Sequence, residues 1–189
     1  MSTNGHMSNL SFRALALWLR AREYFSDPRQ RLVDASLEAG QVVLDYGCGV
    51  GSYALPAAQI VGDGGKVFAL DIHPLAVEAV ERRARSADLS NVETIQSNLD
   101  TGLTSESVDV VLLYDVLHAV PDQHALLQEL HRILKPEGRL SVHPDHMTRD
   151  ELLAIVAAGE QFRFQGQQGE AFAFTKRHAT PMRSRRAAP

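Results

Sequence analysis

Apolar positions along the chain come in two textures that alternate from residue 41 onward. Short, nearly continuous apolar runs, rich in β-branched residues, occupy positions 41–46, 66–70, 92–97, 108–114 and 139–143. Each ends in a glycine, proline or polar group. Between them, residues 52–60, 74–87, 123–134 and 148–158 repeat their apolar positions every three to four residues. Strands without polar alternation, separated by amphipathic helices, predict a parallel sheet covered on both faces. Two further runs, 162–164 and 171–175, have no helix between them. They predict a terminal hairpin and hence an antiparallel strand. The expected fold is α/β and doubly wound.

Ahead of the first strand, residues 11–25 place Phe12, Leu15, Trp18 and Leu19 at helical spacing. Asp27 and Pro28 then read as the cap and first position of another helix, expected to run to about Glu38 and stop at Ala39-Gly40. No segment repeats another.

The most informative junction follows the first strand: Asp45-Tyr46-Gly47-Cys48-Gly49-Val50-Gly51-Ser52. Glycines there let a ligand approach the backbone and aim a helix N-terminus at negative charge. A dinucleotide fingerprint requires a third glycine where this chain has Ser52. Asp45 would also repel a pyrophosphate, but it suits an ammonium group. Asp71 closes the second strand, where a carboxylate accepts from both hydroxyls of a ribose and rejects a 2′-phosphate. Its bland alternative is a helix cap before His73-Pro74. A ligand with a ribose diol, an amino group and a carboxylate fits these residues, and S-adenosylmethionine has all three. A nicotinamide-dependent oxidoreductase does not fit.

Composition narrows the classes further. Of 189 residues, 44% are hydrophobic and 22% charged, ordinary for a globular domain. No apolar run approaches the roughly 18 residues of a membrane-spanning helix. Cys48 is the one cysteine, so neither a disulfide framework nor a multi-cysteine zinc site is available. The cytoplasm is the default compartment. The net charge of −4 hides an asymmetry: the last fourteen residues hold five bases and no acid. Fourteen bases against twenty-three acids remain, a net of −9 for residues 1–175. That acidic body disfavours nucleic acid as a partner, while the basic end suits a solvated tail or a phosphate anchor for an RNA methylator.

Five ordered blocks make the chain resemble the class I S-adenosylmethionine-dependent methyltransferases: VLDYGCGVG (43–51), VFALDIHP (67–74), QSNLDTGL (96–103), SVDVVLLYDVLH (107–118) and ELHRILKPEGRLSV (129–142). Within that class it is most similar to the small-molecule branch of ubiquinone and menaquinone C-methyltransferases. The resemblance implies a Rossmann-like seven-stranded sheet in order 3-2-1-4-5-7-6, strand 7 antiparallel. It implies that Asp45, Gly47, Cys48, Gly49 and Gly51 line the methionine end of the cofactor. Asp71 would hold the ribose and Ile72 pack on the adenine, with Asn98 and Leu99 beside it. Relatives often have an acid where Asn98 stands. Tyr114 would face the methyl-donor region. Cys48 reads as a small filler rather than a nucleophile. S-adenosylhomocysteine would be the product.

Methyl transfer needs a general base only when the acceptor must lose a proton. Candidates stand where the fourth and fifth strands end: Tyr114, Asp115 and His118, then His143, Asp145 and His146. His143, His146 and His118 are the candidate bases, because histidine titrates near neutrality. A divalent metal on these residues is the weaker reading, and no metal is expected. Residues 1–26 read as an extension whose helix is a lid or a dimer element, 27–177 as the catalytic domain and 178–189 as a basic, disordered tail. The expected protein is a monomer or homodimer acting on a small methyl acceptor at oxygen, carbon or nitrogen. The rival from another class is a cofactor-binding protein that transfers nothing.

Overall fold

The computed structural model describes Ser11 and residues 28–144 and 146–177. The helix expected over 11–25, the Asp27 cap, Asp145 and the basic tail lie outside the described residues. The element order is α1 (Pro28–Asp34), β1 (Val42–Tyr46), α2 (Ala54–Val61), β2 (Lys66–Asp71), α3 (Pro74–Ser86), β3 (Val92–Gln96) and β4 (Val108–Tyr114). A single 3₁₀ turn (Leu117–Ala119) leads to α4 (Gln123–Ile133), β5 (Leu134–His143), α5 (Arg149–Ala158), β6 (Phe162–Gln168) and β7 (Ala171–Lys176).

All seven strands join one sheet in the order β3-β2-β1-β4-β5-β7-β6. β1 to β5 pair in parallel, and β7 runs antiparallel to both β5 and β6. The expected order and the antiparallel strand are therefore observed. The central strands separate two cores because successive side chains leave opposite faces. Leu44, Val111 and Leu113 pack with Leu126, Leu130 and Val156 of α4 and α5. Val43, Val110 and Leu112 face the other way, toward Leu32 of α1 and Ala54, Ala57 and Val61 of α2. Each fully buried leucine contributes about 1.5–3 kcal/mol, so the apolar runs themselves set the strand register.

α1 is shorter than its periodicity suggests. It ends at Asp34, and Ser36 turns to φ +50°, which an α-helix cannot continue through. Arg139 of β5 donates to the Ser36 carbonyl from 103 residues away, holding the turn by a tertiary contact. The hairpin strands are longer than predicted, since Gly166, Gln167 and Gln168 pair with β7 beyond a register shift at Gln165.

Two caps fix helices beside the strand ends. His73, not Asp71, caps α3: its Nδ1 accepts from Leu75 N at 3.2 Å, and Pro74 takes the first helical position. Thr148 and Glu151 form a reciprocal capping box on α5. Among the described residues, no helix is long and apolar enough to cross a membrane.

Candidate functional site

β1, β2, β4 and β5 all present their carboxyl ends at one edge of the sheet, where ligands bind in doubly wound folds. The candidate residues fall there into two groups. On the β1–β2 side, Gly47 has φ +79°, and a Cβ on it would lie 2.7 Å from Val116 Cγ2, so the turn after β1 admits only glycine. The loop is stitched to β2: Leu70 O accepts from Gly47 N and Cys48 N at 2.8 and 2.9 Å, and Asp71 Oδ2 accepts from Gly49 N at 2.9 Å. Gly51 N donates to Cys48 O. These four amides are thus spent on internal acceptors, which sequence alone does not reveal.

Asp71 Oδ1 accepts from His73 N at 2.8 Å. Each of its oxygens holds one backbone amide, and a carboxylate has about four acceptor sites, which leaves capacity for a diol. Ile72 beside it is 43% exposed, an uncovered apolar surface at the cleft. Asn98 is exposed and Leu99 half-buried; the Asn98 carbonyl accepts from the Tyr46 hydroxyl. Cys48 is buried, and burial drives its thiol pKa up, which leaves an unreactive thiol.

Asp45 is the outlier. It is 1% exposed, and its Oδ2 has no hydrogen-bond partner. Burial raises its pKa to about 7 against the relief of a hydrogen bond from Ala54 N–H, and the charges of Asp71 and Asp115 push the same way. A buried carboxylate with an orphaned oxygen costs stability unless a cationic donor completes it.

On the β4–β5 side a charged network closes on itself. β4 and β5 align Tyr114 with His143. Asp115, the next residue, takes φ +59°, a conformation aspartate tolerates, and its N–H donates to His143 O at 3.2 Å. Asp115 Oδ1 lies 2.8 Å from His143 Nδ1, while Glu170 Oε2 lies 3.1 Å from His143 Nε2. Arg31 of α1 donates to Tyr53 Oη at 2.7 Å and reaches Asp115 Oδ2 at 3.3 Å. Burial works to lower the His143 pKa, but hydrogen bonds to the two carboxylates prevail and the net direction is up. With carboxylates on both nitrogens the ring is suited to donate twice, as an imidazolium.

Tyr114 is buried, 4.9 Å edge-on from Tyr53, and its hydroxyl is 2.8 Å from Ser141 Oγ. Burial carries its pKa up beyond the usual phenol range. His118 and His146 are exposed and stack edge to face at 5.1 Å, forming a second pair apart from His143. Among the described residues, no three His, Cys, Asp or Glu side chains are arranged to hold a metal ion. A cavity of about 590 Å³ lies between the end of α3 and the start of β3, at the amino ends of the strands and away from both groups.

Arg31, Tyr53 and Glu170 were not singled out by the sequence. Their partners are distant along the chain, and no local spacing marks them.

A methyltransferase-domain model matches residues 37–183, most of the chain. The chain belongs to that family. This methyltransferase-domain chain is 32% identical over 132 residues to the demethylmenaquinone methyltransferase of Geobacillus kaustophilus, covering 69% of this chain and 53% of that one. It spans about half the length of the curated relatives it matches. Its fold is shared with a SAM-dependent methyltransferase from Aquifex aeolicus at TM-score 0.73 and 22% identity, over 90% of this chain and 98% of that one. The cyclase SpnF shares it at TM-score 0.64 and 21% identity, over 74% and 58%.

Proposed function

We propose that this chain is an S-adenosylmethionine-dependent methyltransferase acting on a small-molecule acceptor. The observation that carries the reading is Asp45: a fully buried carboxylate with an orphaned oxygen fits the ammonium of an amino-acid-bearing cofactor, directly or through water. Asp71 would hold the ribose diol with its remaining lone pairs. Ile72 would cover one face of the adenine, and Asn98 and Leu99 would border the ring. Gly47, Cys48, Gly49 and Gly51 would line the methionine end by close backbone approach, since their amides face inward.

When bound, the cofactor supplies an electrophilic methyl group on a sulfonium. The chain's part is to align the acceptor and keep the site dry, because positive charge disperses rather than develops during such a displacement. His143 stays a candidate for proton handling. In the arrangement described, one carboxylate must leave a ring nitrogen before that nitrogen can accept a proton. His118 and His146 are candidates of a second kind, at the exposed rim.

The demethylmenaquinone methyltransferases among its relatives favour a small acceptor, and the −9 balance of residues 1–175 disfavours nucleic acid. The catalytic unit is taken as residues 27–177. A second reading is a cofactor-binding protein without transferase activity, favoured by His143 having both ring nitrogens already engaged by carboxylates, which leaves it no free nitrogen to act as a base.

The test is incubation with methyl-labelled S-adenosylmethionine and a panel of phenols, quinols and carboxylic acids. The reading expects labelled product with the wild type and none with Asp71→Ala. Tight retention of the labelled cofactor with no product across the panel selects the second reading, and absence of cofactor binding removes both.

A further inference from the structure

Glu170 is the odd member of the β4–β5 network. It sits at the turn between β6 and β7 with its side chain 70% exposed, whereas His143 is 9% and Arg31 23% exposed. Ordering an exposed carboxylate in an ion pair gains little net stability. Yet one oxygen of Glu170 gathers two nitrogens, His143 Nε2 in a hydrogen bond at 3.1 Å and Arg31 Nε in an ion pair at 3.6 Å.

Both donors are braced from behind. Asp115 takes His143 Nδ1 on one oxygen and Arg31 Nη1 on the other, and the Tyr53 hydroxyl also meets Arg31 Nη1. Donors fixed by such partners keep their direction when the group in front of them changes. Without the Glu170 side chain, the fold would still aim an imidazole N–H and one edge of a guanidinium at a single point. That pairing matches a carboxylate in shape and charge. The point lies at the carboxyl ends of β4 and β5, and β4 pairs directly with β1, which carries Asp45. An acceptor aligned for in-line transfer would enter at these same strand ends.

We propose that Arg31 and His143 form a carboxylate-binding subsite for the methyl acceptor, and that Glu170 is its internal placeholder, displaced when the acceptor's own carboxylate enters. The exchange of one carboxylate for another leaves the charge of the network unchanged, so neither donor is stranded at any stage. The identity of the occupant as methyl acceptor rests on the reading above; the cradle itself does not.

Benzoate is the probe, titrated into the intact chain with and without S-adenosylhomocysteine by calorimetry, with the imidazole ¹⁵N signals of His143 locating the site in every variant that keeps this histidine. Because the exposed Glu170 carboxylate is only weakly held, Glu170→Ala should tighten benzoate about two- to fivefold. Adding Arg31→Gln or His143→Gln to Glu170→Ala should remove that gain. Arg31→Gln serves if the His143 variant does not fold. Equal benzoate affinity in wild type and Glu170→Ala overturns the proposal. So does a gain that survives both second substitutions, or a Glu170→Ala variant that only melts earlier, as a plain tie between hairpin and helix would. If benzoate binds as expected while calorimetry finds no S-adenosylhomocysteine binding, the methyltransferase reading fails and the subsite stands.

Discussion

Asp45 and Asp115 stand at the carboxyl ends of neighbouring strands, and the fold treats them in opposite ways. Asp45 is buried with one oxygen unpartnered, and burial raises its pKa to about 7. Asp115 is surrounded by donors: His143, Arg31 and the Tyr53 hydroxyl. The first half of the cleft is left incomplete, and the second completes itself with a side chain borrowed from the β6–β7 turn. A site that holds a deficit accepts its ligand by filling it. A satisfied site must exchange one partner for another, so selectivity there depends on what outcompetes Glu170.

The largest effect is expected where the incomplete half meets the nucleoside. Asp71→Ala removes the proposed diol contact and the acceptor that pins Gly49 N, each charge-assisted bond contributing about 1.5–3 kcal/mol. Affinity for S-adenosylhomocysteine should fall by roughly 100-fold or more by calorimetry, the equivalent of about 2.7 kcal/mol. A loss below tenfold would mean that the ribose is held elsewhere.

Asp45→Asn separates stability from binding. The folded-state pKa is raised to about 7 from 3.8. The contribution of Asp45 is therefore fully present below pH 4 and lost as pH rises through about 7. The free protein should gain on the order of 2–4 kcal/mol from Asp45→Asn at pH 8 and little at pH 4, read from melting curves. The same substitution should weaken S-adenosylhomocysteine about tenfold or more and leave 5′-methylthioadenosine, which has no amino-acid moiety, unchanged. Equal losses for both ligands would show that Asp45 does not meet the ammonium group.

How much of this was legible in the sequence divides along the same line. The alternation of strands and helices and the terminal hairpin were legible in strand texture, because burial on both faces leaves a continuous apolar run that local composition displays. The strand order came from the resemblance. Asp45 and Asp71 were marked by position next to the glycine turn. Arg31, Tyr53 and Glu170 left no such mark. They meet Asp115 and His143 only after α1 packs beside α2 and the hairpin folds back on β5, and a lone arginine in a short helix has no period. The end of α1 at Asp34 was hidden for the same reason, since Arg139 holds the Ser36 turn from across the sheet. The inward-facing amides of the glycine loop depend on Leu70 and Asp71, which a reading of the loop alone omits.

The smallest expected effect tests whether the completed half responds to pH through Glu170. The folded-state pKa of His143 is raised, so its contribution is fully present below the ordinary histidine value of about 6.5 and lost as pH rises through the folded value. That window overlaps the one from Asp45, and both slopes have the same sign, so wild-type melting curves would merge them. In an Asp45→Asn background only the histidine window remains. Adding Glu170→Gln there should flatten the fall in stability above pH 6.5 by roughly 0.2–1 kcal/mol, small because one partner is exposed. Unchanged curvature would assign the histidine's raised pKa to Asp115 alone. Glu170 would then be a bystander in its titration, and the two halves of the cleft would differ only in how deeply their carboxylates are partnered.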